Sequence, residues 1–528
     1  MSGTRKTIPV DKNYSLVHHF LEYSATRFPS KIALVHDGQR FSYNDINRFA
    51  DNLAYWLVQR GLQAGDRVVI LLENSLEYVT SYYGILKTGA VAVPLDKDSS
   101  TEQVATVIEN VEPFCVITSS RFERIIRSID FKDCGVIVLL ATNSRYDKAK
   151  SRYEPQSLAE IITGRHNRLP SQTISPSDAA SIIFTSGSTS KPKGVVLSHA
   201  NLIANVSSII ESLHLNSRDV QMVVLPFSYV FGKSLLNTHF AVGGTIVINN
   251  RFAYPADVLR QMVREGVTGF SGVPSSYAHL LYRSPLRSFR SQLTTLRYCA
   301  QAGGNMPVKI KQELREALPD HTDLFIMYGA TEAAARLTCL DPGFLHEKPS
   351  SIGKPITGVS LTVVNENGTA VKDGEVGELV AKGPNVMVGY WKDQASTQAV
   401  MSRHGYHTGD LGYKDTDGFY YVVDRKDNML KIGGYRVNPQ EVEEALSKTD
   451  LILESIVIGF EDHLLGKRLV TLAVPKDSHS TSNKILERLS SLLPKNKIPS
   501  EMKLCRALPL MANGKTDKWK CLRMFETK

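Results

Sequence analysis

Short apolar runs of strand length alternate with helical patterns along most of this chain, and that alternation limits the fold more than any other feature. Arg67–Leu72 (RVVILL) reads as a buried strand. Tyr78–Gly89 reads as a helix closed by a glycine, and Ala90–Val93 as the strand that follows it. Phe114–Thr118, Gly135–Leu140 and Ser181–Phe184 repeat the strand signal. Apolar strands separated by helices predict a parallel α/β architecture with strands covered on both faces. A chain of 528 residues is too long for one hydrophobic core, so at least two domains are expected.

The pattern changes near Ser351. Short strands follow at Ser360–Val364, Gly377–Ala381 and Phe419–Val423, broken by the turns Glu366-Asn367-Gly368 and Asp417-Gly418. These predict a small antiparallel barrel or sheet. Beyond Asp424 a further unit begins. Its helix Pro439–Lys448 carries Glu441, Glu443 and Glu444 near the start, where the helix dipole favours acid. A strand, Ser455–Gly459, comes next, and the tail from Leu493 is rich in Lys and Pro. Residues 428–528 hold a net charge of +5 out of +9 for the whole chain. That count suits a lid over phosphates and a solvated basic surface equally.

Composition excludes several classes. With 42% hydrophobic and 22% charged residues, the chain reads as an ordered globular protein. The net charge of +9 is mild for this length; it favours phosphorylated ligands or acidic partners, and an ordinary basic surface gives the same value. No dense Lys/Arg tract or nucleic-acid-binding signature is present. Cys115, Cys134, Cys299, Cys339, Cys505 and Cys521 form no CxxC pair and no zinc-spaced cluster. A reducing compartment, the cytoplasm, is expected. The start, MSGTRKTIPV, lacks the apolar stretch of a secretory signal. No run approaches the ~18 apolar residues of a membrane helix.

The most distinctive segment is Phe184–Gly194, FTSGSTSKPKG, set between the strand-like runs SIIF and VVL. Glycine lets backbone amides approach an anion, hydroxyls add donors and lysine adds charge, which together make a phosphate cradle. It is not a Walker A loop: Pro192 stands where that pattern needs glycine, and Gly194 where it needs Ser or Thr. The segment resembles the signature loop of the adenylate-forming enzymes, roughly TSG-S/T-TG-x-PKG. That family includes acyl-CoA synthetases, the adenylation domains of nonribosomal peptide synthetases, and firefly luciferase. Ser190 departs from the family's glycine.

Further segments resemble family motifs in the family's order over residues 20 to 520. They are Leu86–Asp96 (LKTGAVAVPLD), Gln301–Pro307 (QAGGNMP), Tyr328–Ala333 (YGATEA), His407–Leu411 (HTGDL), the stretch RKDNMLKIGGYRVNPQEVE from Arg425, and Leu508–Asp517 (LPLMANGKTD). One such match is weak, whereas the series is specific. The resemblance implies an ATP- and Mg²⁺-dependent enzyme that activates a carboxylic acid as an acyl-adenylate and passes the acyl group to a thiol.

The resemblance also implies site roles. Ser186, Gly187, Ser188 and Thr189 would cradle the nucleotide phosphates, and Lys193 would contact them. Thr185 and Glu332 would help hold Mg²⁺. Gly303, Gly304 and Asn305 would lie beside the adenine, Tyr328 would pack on it, and Gly329, Ala330 and Thr331 would line the same turn. Asp410, assisted by Arg425, would bind the ribose hydroxyls, and Lys515 would bridge the substrate carboxylate and the α-phosphate. Attack of one anion on another needs positioning and charge neutralisation, which is what such a set supplies. The family fold implies an N-terminal AMP-binding domain, 1–424, and a mobile C-terminal lid domain, 428–528, pivoting near Asp427. In a second pose Gly433, Gly434 and Tyr435 would line a thiol entry path in place of Lys515.

The acid pocket is expected near Tyr229, Val230 and Met327, with Phe231, Val273, Ala334 and Ala335 as further apolar lining. Val230 falls where peptide-synthetase domains carry the aspartate that pairs with an α-ammonium, so an amino-acid substrate is disfavoured. A fatty or small branched acyl group is expected. Tyr229 replaces the family ligases' usual histidine. Lys233 and Arg336 lie close to the pocket segments. Either they recognise a second anionic group on the acid, or they point away, pair with backbone or snorkel outward, the preferred reading. The acceptor is expected to be coenzyme A, with the phosphopantetheine arm of an acyl carrier protein as the alternative. A family member that only binds nucleotide is a third reading, opposed by the intact Lys193, Glu332, Asp410 and Lys515.

Overall fold

The apolar runs pair into two large sheets, each parallel at its centre. The structure, a computed structural model, describes residues 14–129, 136–141, 155–164, 172–185, 192–426, 430–432, 435–462, 466–511 and 514–526. Cys134, Ser186 to Thr189, Asp427, Gly433 and Gly434 lie outside the described residues.

The first sheet has eight strands. Arg67–Leu71 lies at its centre, parallel to Val91–Pro94 on one side and to Cys115–Thr118 on the other. The expected strands are thus present, displaced by a residue or two. Ala179–Thr185 joins parallel to Val91–Pro94. Lys193–Ser198 then pairs antiparallel to it, so the two strands that flank the phosphate-loop segment run in opposite directions. The reason is length: a parallel crossover needs about a dozen residues, more than this connection has.

The second sheet has nine strands. Its parallel core runs through Tyr298–Gln301, Gly269–Gly272, Val220–Val223 and Thr245–Ile248. Asp323–Tyr328 extends it, Thr338–Leu340 joins that side antiparallel, and Lys354–Pro355 forms the edge.

Helices pack between the two sheets. Leu76–Lys87 starts at a Ser75 cap that accepts from the Tyr78 amide, and is buried from Tyr78 onward. Its tyrosines keep their hydroxyls satisfied: Tyr78 donates to the Phe227 carbonyl at 2.8 Å and Tyr83 to Asn237 Oδ1 at 3.1 Å. Each such ring removes enough apolar surface to stabilise the fold by about 1.5–3 kcal/mol. Lys87, at the end of the helix, is buried but paired with Glu22 and Asp51, both at 2.7 Å.

The region after Ser351 forms a five-stranded antiparallel sheet, as the turn-rich pattern predicts. Its strands include Ser360–Val364, Gly377–Lys382, Gly405–Lys414 and Tyr420–Arg425. The C-terminal unit sets helices Pro439–Lys448 and Ser482–Ser490 against strands Ile452–Asp462, Gly466–Pro475 and Glu501–Leu504. Its cores draw on residues from Leu430 to Phe525 and share none with the larger region. Among the described residues no helix is long and apolar enough to cross a membrane.

Candidate active site

Four segments remote in sequence converge at the open ends of these sheets. The antiparallel pair Ala179–Thr185 and Lys193–Ser198 places Thr185 directly opposite Lys193. A short strand, Gly389–Tyr390, adds to the pair's free edge through Val196 and Val195. The Lys193 ammonium lies 5.2 Å from the centre of the Tyr390 ring. Tyr390 donates its hydroxyl to Glu332 at 2.9 Å. Burial and the Glu332 charge push the Tyr390 phenol pKa up, so it stays a donor.

Glu332 is presented by a tight turn, Thr331–Ala333, just past strand Asp323–Tyr328. That turn needs Gly329: a Cβ there would sit 2.0 Å from the Ala335 carbonyl oxygen. Tyr328, closing the strand, donates to Asp410 Oδ2 at 2.5 Å. Asp410 lies opposite Arg425 across the antiparallel sheet, with the guanidinium Nε 3.3 Å from Oδ1. Burial raises the Asp410 pKa, and Arg425 opposes the shift.

Lys515 reaches this cluster from the C-terminal unit. Its carbonyl accepts from the Met511 amide at 2.7 Å, closing a small loop. The loop docks on the larger region: the Ser275 hydroxyl donates to the Gly514 carbonyl. A Cβ placed on Gly303 would lie 3.6 Å from Lys515 Cε. Lys515 is open to solvent along the cleft, yet enough protein surrounds it for desolvation to lower its pKa. The Arg425 charge pulls the same way, and Asp410 and Glu332 pull against both. Further contacts hold the two units together. Asn305 donates to Glu444 at 3.3 Å, Lys309 pairs with Asp450, and Arg283 donates to the Arg506 carbonyl.

The structure therefore brings together Thr185, Lys193, Gly303, Tyr328, Gly329, Ala330, Thr331, Glu332, Asp410, Arg425 and Lys515. Gly304 sits in the same turn, its carbonyl accepting from Gln301 at 2.7 Å. Asn305 instead faces the C-terminal unit. Tyr435 begins strand Tyr435–Val437.

Tyr229 caps helix Val230–Val242 and donates its hydroxyl to Asp96. Val230 and Met327 are buried close by. Lys233 and Arg336 do not snorkel outward: both are buried. Lys233 donates to the Tyr78 hydroxyl at 2.6 Å and lies 4.0 Å from the Tyr82 ring centre. Arg336 lies 3.8 Å over the Phe231 ring.

Three contributors escape the motif reading. Tyr390 sits in a Gly-Tyr-Trp run whose turn-like composition points to no ligand. Ser275 is one unremarkable hydroxyl at the start of helix Pro274–Arg283. Asp96 closes the matched segment Leu86–Asp96, which carries the only signal that could have found it.

Comparison with known proteins agrees with this arrangement. The AMP-binding enzyme family profile matches residues 21–391, and that of the AMP-binding enzyme C-terminal domain matches residues 441–515. A long-chain-fatty-acid–CoA ligase of Bacillus subtilis is 29% identical, over 93% of this chain and 91% of its own. A 2-succinylbenzoate–CoA ligase of Bacillus cereus is 29% identical, over 92% of this chain and 94% of its own. The crystal structure of the o-succinylbenzoate CoA synthetase of Bacillus subtilis, solved with its acyl-adenylate intermediate, superposes with a TM-score of 0.80. It is 26% identical and covers 96% of this chain and 98% of its own. With its larger profile covering well over half of the residues and a site assembled from both units, this chain belongs to the AMP-binding enzyme family.

Proposed function

We propose that the protein activates a carboxylic acid with ATP and then forms a thioester with coenzyme A. In the first step a carboxylate oxygen bonds to the α-phosphorus while the bond to pyrophosphate breaks. In the second a thiolate attacks the acyl carbon and AMP leaves. The observation that carries this reading is the seating of Lys515 against Gly303, where the charges of Asp410, Arg425 and Glu332 all act on it. A cation at that point offsets the charge of two approaching anions, where uncompensated repulsion would dominate the barrier.

Lys193 supplies a second cation along the phosphate loop. Asp410, braced by Tyr328 and Arg425, presents an acceptor suited to ribose hydroxyls. The Thr185 hydroxyl and Glu332 carboxylate are hard oxygen donors of the kind Mg²⁺ takes alongside substrate phosphates, so the donor set fits that ion. When bound, Mg²⁺ would neutralise phosphate charge. Tyr229 stays a protonated donor, since burial and the Asp96 carboxylate both raise its pKa. It therefore orients rather than removes protons. Coenzyme A is the acceptor in the names of the relatives, and the acceptor proposed here. The described cysteines are free, which suits the cytoplasm.

Acid-dependent ATP–pyrophosphate exchange tests the reading, with a panel of fatty, aryl, dicarboxylic and amino acids. Exchange with a non-amino acid, followed by thioester formation with coenzyme A, is expected. Exchange with amino acids alone would overturn the assignment of Val230.

A further inference from the structure

Arg336 is a charge the adenylation chemistry does not require. It is 3% exposed, and its guanidinium carbon stacks 3.8 Å over the Phe231 ring. Its Nη1 donates to the Ala335 carbonyl at 3.2 Å. Among the described residues its Nε has no hydrogen-bond acceptor, and no carboxylate pairs with it. Burial pulls its pKa down, and the Cys339 thiol is the one titratable group that acts to raise it. Buried charges are ordinarily paired, because a charge taken out of water without a partner is costly.

The fold goes to some length to set this side chain where it is. The backbone reaches it through Ala334 at φ 55° and Ala335 at φ 124°, a region alanine rarely occupies. Asn205 grips the Arg336 peptide twice, accepting from its amide at 3.2 Å and donating to its carbonyl at 2.8 Å. Asn385 donates to the same carbonyl at 3.0 Å. The backbone folds back on the cleft wall: the Leu337 amide donates to the Tyr328 carbonyl at 2.8 Å. Tyr328 itself holds Asp410. Phe231, partly open, lies one residue past Val230 on the helix that bounds the acid pocket.

Lys233 is a poorer receptor. It faces helix Leu76–Lys87, where the Tyr78 hydroxyl and the Tyr82 ring already occupy its ammonium. Burial lowers its pKa.

We infer that Arg336, backed by Phe231, receives a second carboxylate at the far end of the substrate, so that the acid activated is a dicarboxylic acid. This rests on the adenylation reading above and narrows its substrate. The Nε is buried and has no acceptor of its own among the described residues; a carboxylate brought against that edge would be held side-on through two parallel hydrogen bonds. A fatty acyl chain would leave that charge unpaired, so the fatty or branched acid expected from the apolar lining is replaced by one with a charged end.

The test is exchange kinetics with matched pairs: malonate, succinate, glutarate, adipate, phthalate and homophthalate, each against its monomethyl ester. Each ester keeps the reacting carboxylate and replaces the far charge with a neutral methyl ester. At least one diacid should exceed its ester by about 100-fold in kcat/KM, since a buried group left unpaired rejects the analogue strongly. Arg336→Met should lower kcat/KM for that diacid by about 100-fold, mainly through KM, and reverse the preference toward the ester. Arg336→Lys should recover part of the loss. Esters or fatty acids matching every diacid on the wild-type enzyme would overturn the inference and leave the adenylation reading standing. The wild-type comparison decides this even if the Met variant fails to fold. No exchange with any acid would overturn both readings.

Discussion

In the proposed adenylation step Lys515 acts as a cation, and its surroundings make that charge costly to hold. Desolvation and Arg425 lower its pKa, so the ammonium is lost at a lower pH than for an ordinary lysine. The alkaline limb of the exchange-rate profile should therefore fall below the usual lysine range. Lys515→Arg, slower but permanently charged, should lack that limb; a limb retained in this variant would assign it to another group. Lys515→Met should lower the exchange rate by about 100- to 1000-fold while leaving the melting temperature near that of the wild type. Tyr390 acts through a neighbour. Tyr390→Phe removes the hydrogen bond to Glu332 and should weaken Mg²⁺ binding at the proposed site about tenfold, read as a higher Mg²⁺ concentration at half-maximal exchange.

At the scale of elements, the turn after strand Asp323–Tyr328 concentrates the constraints. Backbone from Ala335 and Arg336 passes so close to Gly329 that a side chain has no room. Gly329→Ala should cost about 2 kcal/mol, read as a lower unfolding midpoint in denaturant, with exchange lost at the same time. The Lys515 loop is a second such element. Ser275 holds it through Gly514, and removing one hydrogen bond of this kind costs about 1 kcal/mol. Ser275→Ala should lower acid-dependent exchange about fivefold. Thioester formation from added acyl-adenylate should stay near the wild-type rate, because that step is proposed to use the other pose. An equal loss in both half-reactions would count against two poses.

At the scale of the molecule, two separate sets of cores meet across one cleft. Partly buried Glu443 sits near that junction, accepting from the Val457 amide at 2.8 Å. Burial pushes its pKa up to about 7. The folded state thus holds this proton more tightly than the unfolded one. The resulting stability is complete below the unfolded carboxylate pKa and is lost as pH rises through about 7. Glu443→Gln should flatten the dependence of the C-terminal unit's melting temperature between pH 5 and 8, measured by calorimetry.

Much of this was present in the residue order. The alternation of apolar runs is a local property, set by which residues can cover a strand on both faces, and it identified the sheets to within a residue or two. The glycine, lysine and acidic positions of the site are also local, because each is demanded by a turn or a charge at that point. What no local pattern carries is pairing between distant segments. The antiparallel return of Lys193–Ser198 followed from chain length only once its partner strand was known. Tyr390 became part of the site because an edge strand was free for Gly389–Tyr390 to join. Arg336 and Lys233 look alike in sequence, two basic residues beside a pocket. Tertiary packing gave one of them two tyrosines and left the other on a phenylalanine with a buried Nε that has no acceptor among the described residues. The sequence by itself determined the family, the sheets and the charged residues of the candidate site. Only the three-dimensional packing decided which buried charge is still owed a partner, because desolvation depends on what surrounds a group and not on its neighbours in the chain.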